Sequence, residues 1–458
     1  MKRMLTLLGV LGYLLVTRPA LGVDDGLTEA QRNMRNNNAI QVIYRNGVPN
    51  TDKQGHRLYK YDADKSFFPI GLWGASMPGD VYGSHYDWET LKEAGFNTVW
   101  PWNTPARPAI EAASKAGLQL ILMHPRDEAE LREMKDSPWI LGNVWADEPI
   151  GALGSRDMDK YFAEFMAYRG MAKQFAPGLN VFINDAPWIM PPATSWWIKW
   201  NVTGDVSCHD NYPIKFGQTI TRSVGSEPNG IPQSISLAVG SNSERKPVWL
   251  IVGAFDQPGA GQTFPFRFPS VMQLRAQVYA GIVHGATGIH YFIQDSYVSR
   301  DGGVIGMSPD PEVYRTPYPL VAGGPQRPTP ATPMQLAHSR ALWDATVSIN
   351  SELQQLAPII LAATVGHDVD YKVQITGRSI TEAPIRCLLK PHPEGGYVLL
   401  SVNLDDAVLE STYTFPNDIS LVEAMFENQP ARTFEPPQKT FTVHYEPYDV
   451  HVLRIKTR

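Results

Sequence analysis

The chain has 458 residues, enough for one barrel-sized domain and a smaller second one. Hydrophobic residues make up 43% of the chain and charged residues 19%, which excludes a disordered or coiled-coil protein. The net charge of -6, without any cluster of Lys or Arg, provides no basic surface and argues against nucleic acid as a partner.

The first 22 residues have the pattern of a secretory signal peptide. Lys2 and Arg3 precede an apolar stretch over residues 4–16, and small residues follow at the cleavage spacing over residues 20–22. The apolar stretch is short for a membrane span, and no later stretch is long enough to cross a bilayer. The sequence therefore predicts a secreted or periplasmic protein with no membrane association after signal cleavage.

Short apolar runs then alternate with helical patterns. Gly95 and Gly117 each end a helical pattern and lead directly into a β-rich run, which is typical of αβ loops. An open doubly wound sheet would need a Gly-rich phosphate turn after the first strand, and none is present. Eight strands alternating with helices predict a (β/α)8 TIM barrel. The predicted strands are Pro69–Trp73, Phe96–Trp100, Leu118–His124, Ile140–Ala146, Asn180–Asn184, Asp205–His209, Val248–Ala254 and Gly288–Ile293.

The C-terminal third has a different pattern. A segment rich in Pro and Gly over residues 304–333 indicates a long loop, and Gln335–Leu356 has the pattern of a long helix. From Ala363 onward, alternating strands and turns predict an antiparallel β-sandwich. The predicted organisation is a signal peptide (1–22), an irregular segment (23–65), the barrel (66–335), a linking helix (336–362) and the sandwich (363–458). Cys208 and Cys387 fall in different domains, and we expect two buried free thiols.

The fourth predicted strand ends in Trp145-Ala146-Asp147-Glu148-Pro149. A buried strand has no structural need for two adjacent carboxylates at its end, whereas cleavage of a glycosidic bond needs a carboxyl group that protonates the leaving oxygen. A carboxyl group beside Trp145 and shielded by barrel loops would have a raised pKa, which suits a general acid near neutral pH. Glu148 is therefore the predicted general acid.

The other strand ends carry carboxylates, amides and aromatic rings that would meet on the same rim of a barrel. Aromatic faces stack on the C–H faces of sugars, and carboxylates and amides bind hydroxyl groups. These residues predict a carbohydrate substrate. The candidate substrate-binding residues are Trp73, Trp102, His124, Asp147, Asn184, Asp185, His209, Tyr212, Gln257, Tyr291, Gln294 and Asp295.

These features resemble those of the (β/α)8 glycoside hydrolases of the retaining clan A type. The resemblance extends from about Phe67 to the C-terminus and implies the hydrolysis of O-glycosidic bonds, with an acid/base Glu at the end of the fourth strand. The residues that carry it are Gly142–Pro149, His209–Pro213, Arg275–Ala280 leading to Gly285–Phe292, and Leu342–Trp343 followed by Asn350–Leu353 and Leu356–Pro358.

Two positions depart from that pattern. Asp147 replaces the Asn that usually precedes the acid/base Glu, and the seventh strand ends without the expected nucleophilic Glu. Asp256 could be the nucleophile in its place. Asp210 or Asp185 could instead act as base on a water and give inversion, or Asp147 could orient a substrate acetamido group that acts as nucleophile. We rank Asp210 first as the partner of Glu148, although an Asx turn before Tyr212 would also explain an Asp there.

Two other classes of function remain open from the sequence. A catalytically silent carbohydrate-binding protein on the same scaffold would explain the missing Glu. A metal-dependent barrel hydrolase is less favoured, because His124, His209 and His290 lie on different strands without a close-spaced ligand motif. There is no Gly-x-Ser-x-Gly nucleophile elbow and no P-loop, so we predict neither a metal nor a cofactor. The sequence makes no prediction of the oligomeric state.

Overall fold

The protein is described by a computed structural model that covers residues 48–458 with gaps at 76, 78–86, 103, 188–192, 215–229, 243–244, 258–265, 295–296, 300–301, 312–317, 320–330, 365–369, 378–383 and 428–429. The predicted signal peptide lies outside the described residues. The described part begins with a short hairpin of strands β1 (Asn50–Thr51) and β2 (Arg57–Leu58). The side-chain amide of Asn180 donates to the carbonyl of Gly55 at 2.8 Å, so this hairpin lies at the N-terminal end of the barrel strands.

Eight parallel strands close into a barrel, as predicted, and each matches a predicted strand to within three residues at either end. Residue pairing runs from each strand to the next and finally from the eighth back to the first. The (β/α)8 fold is therefore confirmed. The barrel strands are β3 (Ile70–Trp73), β4 (Thr98–Trp100), β5 (Gln119–Met123), β6 (Ile140–Asp147), β7 (Val181–Asn184), β8 (Ser207–Asn211), β9 (Val248–Gly253) and β11 (Gly288–Phe292).

Large side chains fill the interior of the barrel. Trp100, Phe182 and Trp249 point inward, and each is 0% exposed. The indole nitrogen of Trp100 donates to Nδ1 of His290 at 2.9 Å, and Gly71 leaves the space that the His290 ring occupies. Because the interior is filled, a ligand site on this barrel must lie beyond the C-terminal ends of the strands.

The strands are surrounded by helices whose apolar faces pack on the barrel. Helix α8 (Pro333–Leu361) follows the eighth strand and contacts its neighbours on both sides. Glu352 binds Arg275 in helix α7 (Val271–His284), and Asn350 donates to the carbonyl of Ala94. Helix α8 therefore closes the helical ring in addition to linking the barrel to the C-terminal sheet. The helices are α1 (Trp88–Glu93), α2 (Ala106–Ala116), α3 (Glu128–Lys135), α4 (Met158–Phe175), α5 (Ala193–Thr203), α6 (Ile231–Ser241), α7 (Val271–His284) and α8 (Pro333–Leu361).

A small sheet extends from the C-terminal end of the barrel. Its strands are β10 (Phe255–Asp256), β12 (Tyr297–Ser299), β13 (Gly302–Gly306) and β14 (Tyr318–Pro319). Two of these strands lie wholly or partly in the segment predicted as a long loop, so that segment is not entirely irregular. The sheet extends the rim beside the seventh and eighth barrel strands.

The C-terminal region is an antiparallel sheet of six strands that curls around its own core, which confirms the predicted β-rich domain. The core side chains include Tyr413, Phe415 and Phe441. Leu400 and Val452 on the other face belong to the same apolar cluster as helix α7 of the barrel. The strands are β15 (Asp370–Ile375), β16 (Ile385–Pro391), β17 (Tyr397–Asn403), β18 (Leu409–Ala424), β19 (Arg432–Tyr445) and β20 (Val450–Thr457).

Both cysteines are free and buried, Cys208 in β8 and Cys387 in β16, as predicted. Among the helices that the structure describes, none combines the length and the apolar character needed to span a bilayer.

We predict that Glu352→Ala strongly destabilises the fold. Glu352 accepts hydrogen bonds from Arg275 at 3.1 Å and from the Tyr279 hydroxyl at 2.6 Å, and Arg275 also donates to the carbonyl of Val450 at 2.7 Å. The side chains of Arg275 and Glu352 are only 16% and 13% exposed. Removing Glu352 leaves the partly buried guanidinium without its carboxylate partner, which should lower the free energy of unfolding by about 3 kcal/mol in denaturant titrations.

The matched control is Asp344→Ala on the same helix. Asp344 pairs with Arg340, and both side chains are more than half exposed, so its loss should cost less than about 1 kcal/mol. Equal losses for the two variants would contradict a structural role of the buried pair.

Candidate active site

The backbone at the end of the fourth barrel strand adopts an uncommon conformation. Glu148 lies in the left-handed region, with φ 45° and ψ 49°, which is rare for residues other than Gly and costs of order 1–3 kcal/mol. Its N–H donates to the carbonyl of Asn184 at 2.9 Å, and its carbonyl accepts from Gly151 at 3.1 Å in a 3-10 turn, Pro149–Ala152. Strain of this kind persists where surrounding contacts enforce it, and it is concentrated at functional sites.

The side chains at the ends of the fourth, fifth and sixth strands form one polar cluster. The amide nitrogen of Asn184 donates to Oδ1 of Asp147 at 2.9 Å and to Oδ1 of Asp210 at 2.8 Å. A further hydrogen bond joins the carboxyl groups of Glu148 and Asp210 and favours the ionised form of Asp210. The structure thus brings together the two residues that the sequence ranked first.

Solvent reaches the members of this cluster unequally. Asp147 and Glu148 are exposed, whereas Asn184 and Asp210 are each 2% exposed. A ligand above the barrel would therefore meet Asp147 and Glu148 directly, while Asp210 lies beneath them.

The crowding of carboxyl groups alters their proton affinities. Burial, and next the negative charge of Asp147, raise the pKa of Asp210 to about 7. Burial within the protein, and next the charge of Glu148, also raise the pKa of Asp147 to about 7. Because Asp147 remains in contact with solvent, water offsets part of this effect at Asp147. The cluster can thus retain a proton near neutral pH, as a general acid requires.

Asp185 lies below the turn that follows Glu148. It is 1% exposed, and its Oδ2 accepts from the N–H of Ile150 at 3.3 Å. Burial, and next the charge of Glu148, raise the pKa of Asp185 well above its ordinary value. A buried carboxyl group in this place supports the backbone around Glu148, and the predicted contact with substrate is not compatible with its burial.

Trp145 does not have the predicted position beside Glu148. A β-bulge between Val144 and Ala146 shifts the alternation of the strand, and Trp145 packs outward, with its ring 4.6 Å from that of Tyr161 in helix α4. The charged and buried surroundings of the carboxyl groups, rather than an indole ring, provide the environment that retains a proton.

His124 and Trp102 lie on the rim at the third and second strands. His124 is exposed and, like Glu148, has a left-handed backbone, with φ 67°. Burial of part of its ring, and next the charge of Arg126, lower the pKa of His124. Trp102 is half-buried and packs on the aromatic cluster inside the barrel. Both side chains remain candidates for contact with a ligand.

Tyr212 belongs to a cluster of four aromatic rings at the ends of the last three strands. Its ring stacks on Phe292 at 5.6 Å and meets Phe255 and Phe266 edge-on at 5.2 Å and 6.0 Å. The sequence also places Phe255 at the end of the seventh strand, but only Tyr212 is a sequence-predicted candidate for binding. The aromatic sequence Phe266-Arg267-Phe268 in the loop after the seventh strand is the signal that could have indicated Phe266.

Four predicted substrate-binding residues are buried where a ligand cannot reach them. Trp73 is 2% exposed inside the barrel, and Gln294 is 0% exposed. His209 and Tyr291 face the surrounding helices, because alternate residues of a strand point to opposite faces. His209 Nε2 lies 3.0 Å from the hydroxyl of Ser234 in α6, and Tyr291 packs edge-on against Phe96.

The remaining candidates lie by the seventh and eighth strands. Asp256 Oδ2 accepts from the side-chain amide of Gln335 at 2.8 Å, and the charged groups that act on it are Arg267 and His338 rather than Glu148. Gln257 is half-buried, and its N–H donates to the carbonyl of Phe266. Asp295 lies outside the described residues.

Within the described ranges, no group of three or more His, Cys, Asp or Glu side chains is arranged to hold a metal ion. The three histidines of the metal hypothesis are separated by the barrel wall, since His124 is on the rim, His290 is inside and His209 faces a helix.

No family model matches this chain, and no curated protein matches it. Solved structures resemble its fold. An endo-β-1,4-mannanase from Thermotoga petrophila is 12% identical, with a TM-score of 0.40 over 85% of this chain and 97% of that one. Eubacterium rectale Amy13B is 9% identical, with a TM-score of 0.48 over 91% and 99%. An Anoxybacillus alpha-amylase is 10% identical, with a TM-score of 0.44 over 85% and 98%. At these levels the comparison concerns the fold alone, so the site is interpreted from its own residues.

We predict that the buried carboxyl group of Asp210 makes stability fall as the pH rises. Between its ordinary pKa of 3.8 and its folded pKa of about 7, the folded state holds a proton that the unfolded state has lost. The free energy of unfolding should therefore decrease between about pH 4 and pH 7, and Asp210→Asn should remove this component. Relative to the variant, the unaltered protein should lose on the order of 3 kcal/mol across this range in denaturant titrations.

Asp159→Asn is the control, since Asp159 is 87% exposed on helix α4 and should leave the pH profile unchanged. If the profiles of the protein and of Asp210→Asn run parallel, Asp210 does not have a raised pKa.

Proposed function

We propose that this protein is a glycoside hydrolase that cleaves O-glycosidic bonds of a poly- or oligosaccharide, with Glu148 as general acid/base. The observation that carries the proposal is the contact of Glu148 with buried Asp210, next to solvent-exposed Asp147, at the C-terminal ends of the barrel strands. The C-terminal end of the strands is where active sites of this barrel lie.

Glu148 can act as acid because its neighbours disfavour a second negative charge. Asp147, Asp185 and Asp210 all lie within electrostatic range of it. In the proposed reaction, Glu148 transfers its proton to the glycosidic oxygen as the bond to the anomeric carbon breaks. It then takes a proton from the water that attacks that carbon.

Asp147 is the carboxylate best placed to face the sugar. The hydrogen bond between Glu148 and Asp210 leaves no room between their carboxyl groups for the water that inversion requires across about 6.5–9.5 Å. The carboxylate of Asp256 accepts a hydrogen bond from the side-chain amide of Gln335. Asp147 is exposed, and Asn184 holds it in place, which suits a group that stabilises positive charge at the anomeric carbon or orients a substrate acetamido group.

The rim around these carboxyl groups supports a carbohydrate substrate. Half-buried Trp102 and Tyr212 present aromatic surface on two sides of the barrel end, and exposed His124 adds a polar group. We also propose that the protein is exported, on the basis of its signal-like N-terminus, which fits a polysaccharide outside the cell.

We predict that Glu148→Gln lowers the rate of glycoside cleavage at least about 100-fold, because the amide cannot protonate the leaving oxygen. Release of reducing sugar is measured on a panel of neutral polysaccharides and of aryl glycosides with and without a 2-acetamido group. If only the substrates with a 2-acetamido group are cleaved, the nucleophile is the acetamido group of the substrate. The control is Glu128→Gln, a change at an exposed residue of helix α3, which should retain the full rate.

Two outcomes would contradict the proposal. If Glu148→Gln keeps the rate of the unaltered protein, Glu148 is not the acid. If neither protein cleaves any substrate and yet sugars bind, the result supports the second candidate function, a carbohydrate-binding protein. The observation that favours this candidate is the absence of a Glu at the end of the seventh strand.

We predict that Asp185 positions Glu148 and does not bind substrate. Asp185→Ala removes the acceptor for the Ile150 N–H and should lower kcat about tenfold or more while KM is unchanged, because small displacements of a reacting group are costly. Asp185→Asn keeps an oxygen acceptor and should restore most of kcat. A rise in KM with unchanged kcat would show instead that Asp185 contacts the substrate.

A further inference from the structure

A cavity of about 380 Å³ lies at the C-terminal end of the seventh barrel strand, apart from the carboxyl groups of the candidate active site. Its volume is within the range of about 300–1,000 Å³ that is typical of small-molecule sites. The proposed reaction makes no use of it. Its lining includes Asp256, Phe266, Arg267, Phe268, Gln335 and His338.

The polar groups of this cavity include both hydrogen-bond acceptors and donors. Asp256 contributes a carboxylate, and Arg267 contributes an exposed guanidinium. His338 Nε2 lies 3.0 Å from the carbonyl of Pro269, and because a carbonyl only accepts, Nε2 carries a hydrogen and donates it to this carbonyl. Sugar hydroxyl groups both donate and accept, so they match this mixture.

The charges of the cavity favour a neutral ligand. The carboxylate of Asp256 and the guanidinium of Arg267 line the same cavity and interact electrostatically, so their opposite charges offset each other. A ligand with a formal charge would be repelled by one member of the Asp256–Arg267 pair.

Apolar surface completes the cavity. Phe266 is half-buried, and the ring of Phe268 lies 5.1 Å from the ring of His338. Met334, which also lines the cavity, is 79% exposed. Aromatic and apolar walls with a few polar groups suit the C–H faces of a pyranose ring.

Two aromatic side chains, Tyr212 and Phe266, connect the rim that carries the carboxyl groups with this cavity. Tyr212 is two residues from Asp210, at most about 7 Å along the strand, and its ring lies 6.0 Å from that of Phe266, which lines the cavity. One oligosaccharide chain could therefore contact both places.

We propose that this cavity binds a neutral pyranose unit of a polysaccharide as a subsite separate from the Glu148 site. The proposal deepens the proposed function, because it identifies the substrate as a neutral glycan long enough to extend from Glu148 past Tyr212 and Phe266. It assigns Asp256 a role in binding rather than in catalysis.

The experiment measures binding without turnover. The full-length chain carrying Glu148→Gln is run in native gels that contain galactomannan, soluble starch, xylan or polygalacturonate, and the retardation gives the affinity for each. At least one of the three neutral polysaccharides should retard the protein. Addition of Arg267→Ala should weaken that binding about tenfold, the loss expected for one hydrogen bond from a charged group. Arg432→Ala, a change at an exposed residue of the C-terminal sheet, is the control and should bind as before.

Three results would overturn the proposal: no retardation in any gel, retardation by polygalacturonate alone, or equal retardation with and without Arg267→Ala. Arg267 is exposed, so the variant should fold, and a thermal melt verifies this. Failure of the proposed function is detected in a separate experiment, the cleavage assay. It appears there as equal cleavage rates of the unaltered protein and Glu148→Gln, and this result does not depend on the binding seen in the gels.

Discussion

The amide of Asn184 is the point on which the candidate site depends. One side chain donates to two carboxyl groups, those of Asp147 and Asp210, and thereby holds the ends of three neighbouring strands at fixed distances. Like charges at such distances can persist only if some of them carry protons. Burial, together with this crowding of negative charge, raises the pKa of Asp210, and the proposed acid chemistry depends on that effect.

The rest of the barrel maintains that arrangement. The left-handed backbone of Glu148 is held by the carbonyl of Asn184 and by the turn that Asp185 supports from below. The filled interior prevents the strand ends from collapsing inward. Helix α8 joins α7 to α1, and the Arg275–Glu352 pair links this ring to the C-terminal sheet. Rigid support of this kind keeps reacting groups in place, which is the condition for efficient proton transfer.

The fold could be predicted well from the sequence because each strand and helix has a local signal. Gly95 and Gly117 mark the turns into the second and third strands, and the closed barrel follows from the number and alternation of the elements. The site was predicted less completely. The sequence correctly indicated that the carboxylates follow strands, but it could not show which side chains face the helices, as His209 and Tyr291 do, because one bulge or one register shift reverses the direction of a side chain.

The sequence by itself determined the alternation of strands and helices, the position of the Asp147-Glu148 pair at a strand end and the absence of a Glu after the seventh strand. Each of these depends on residues close together in the chain. Only the tertiary structure decided that Asp210 lies against Glu148, that Asp256 borders a different cavity and that Asp185 is buried under the turn. These are contacts between residues far apart in the chain, and they are fixed by barrel closure and packing rather than by local preference.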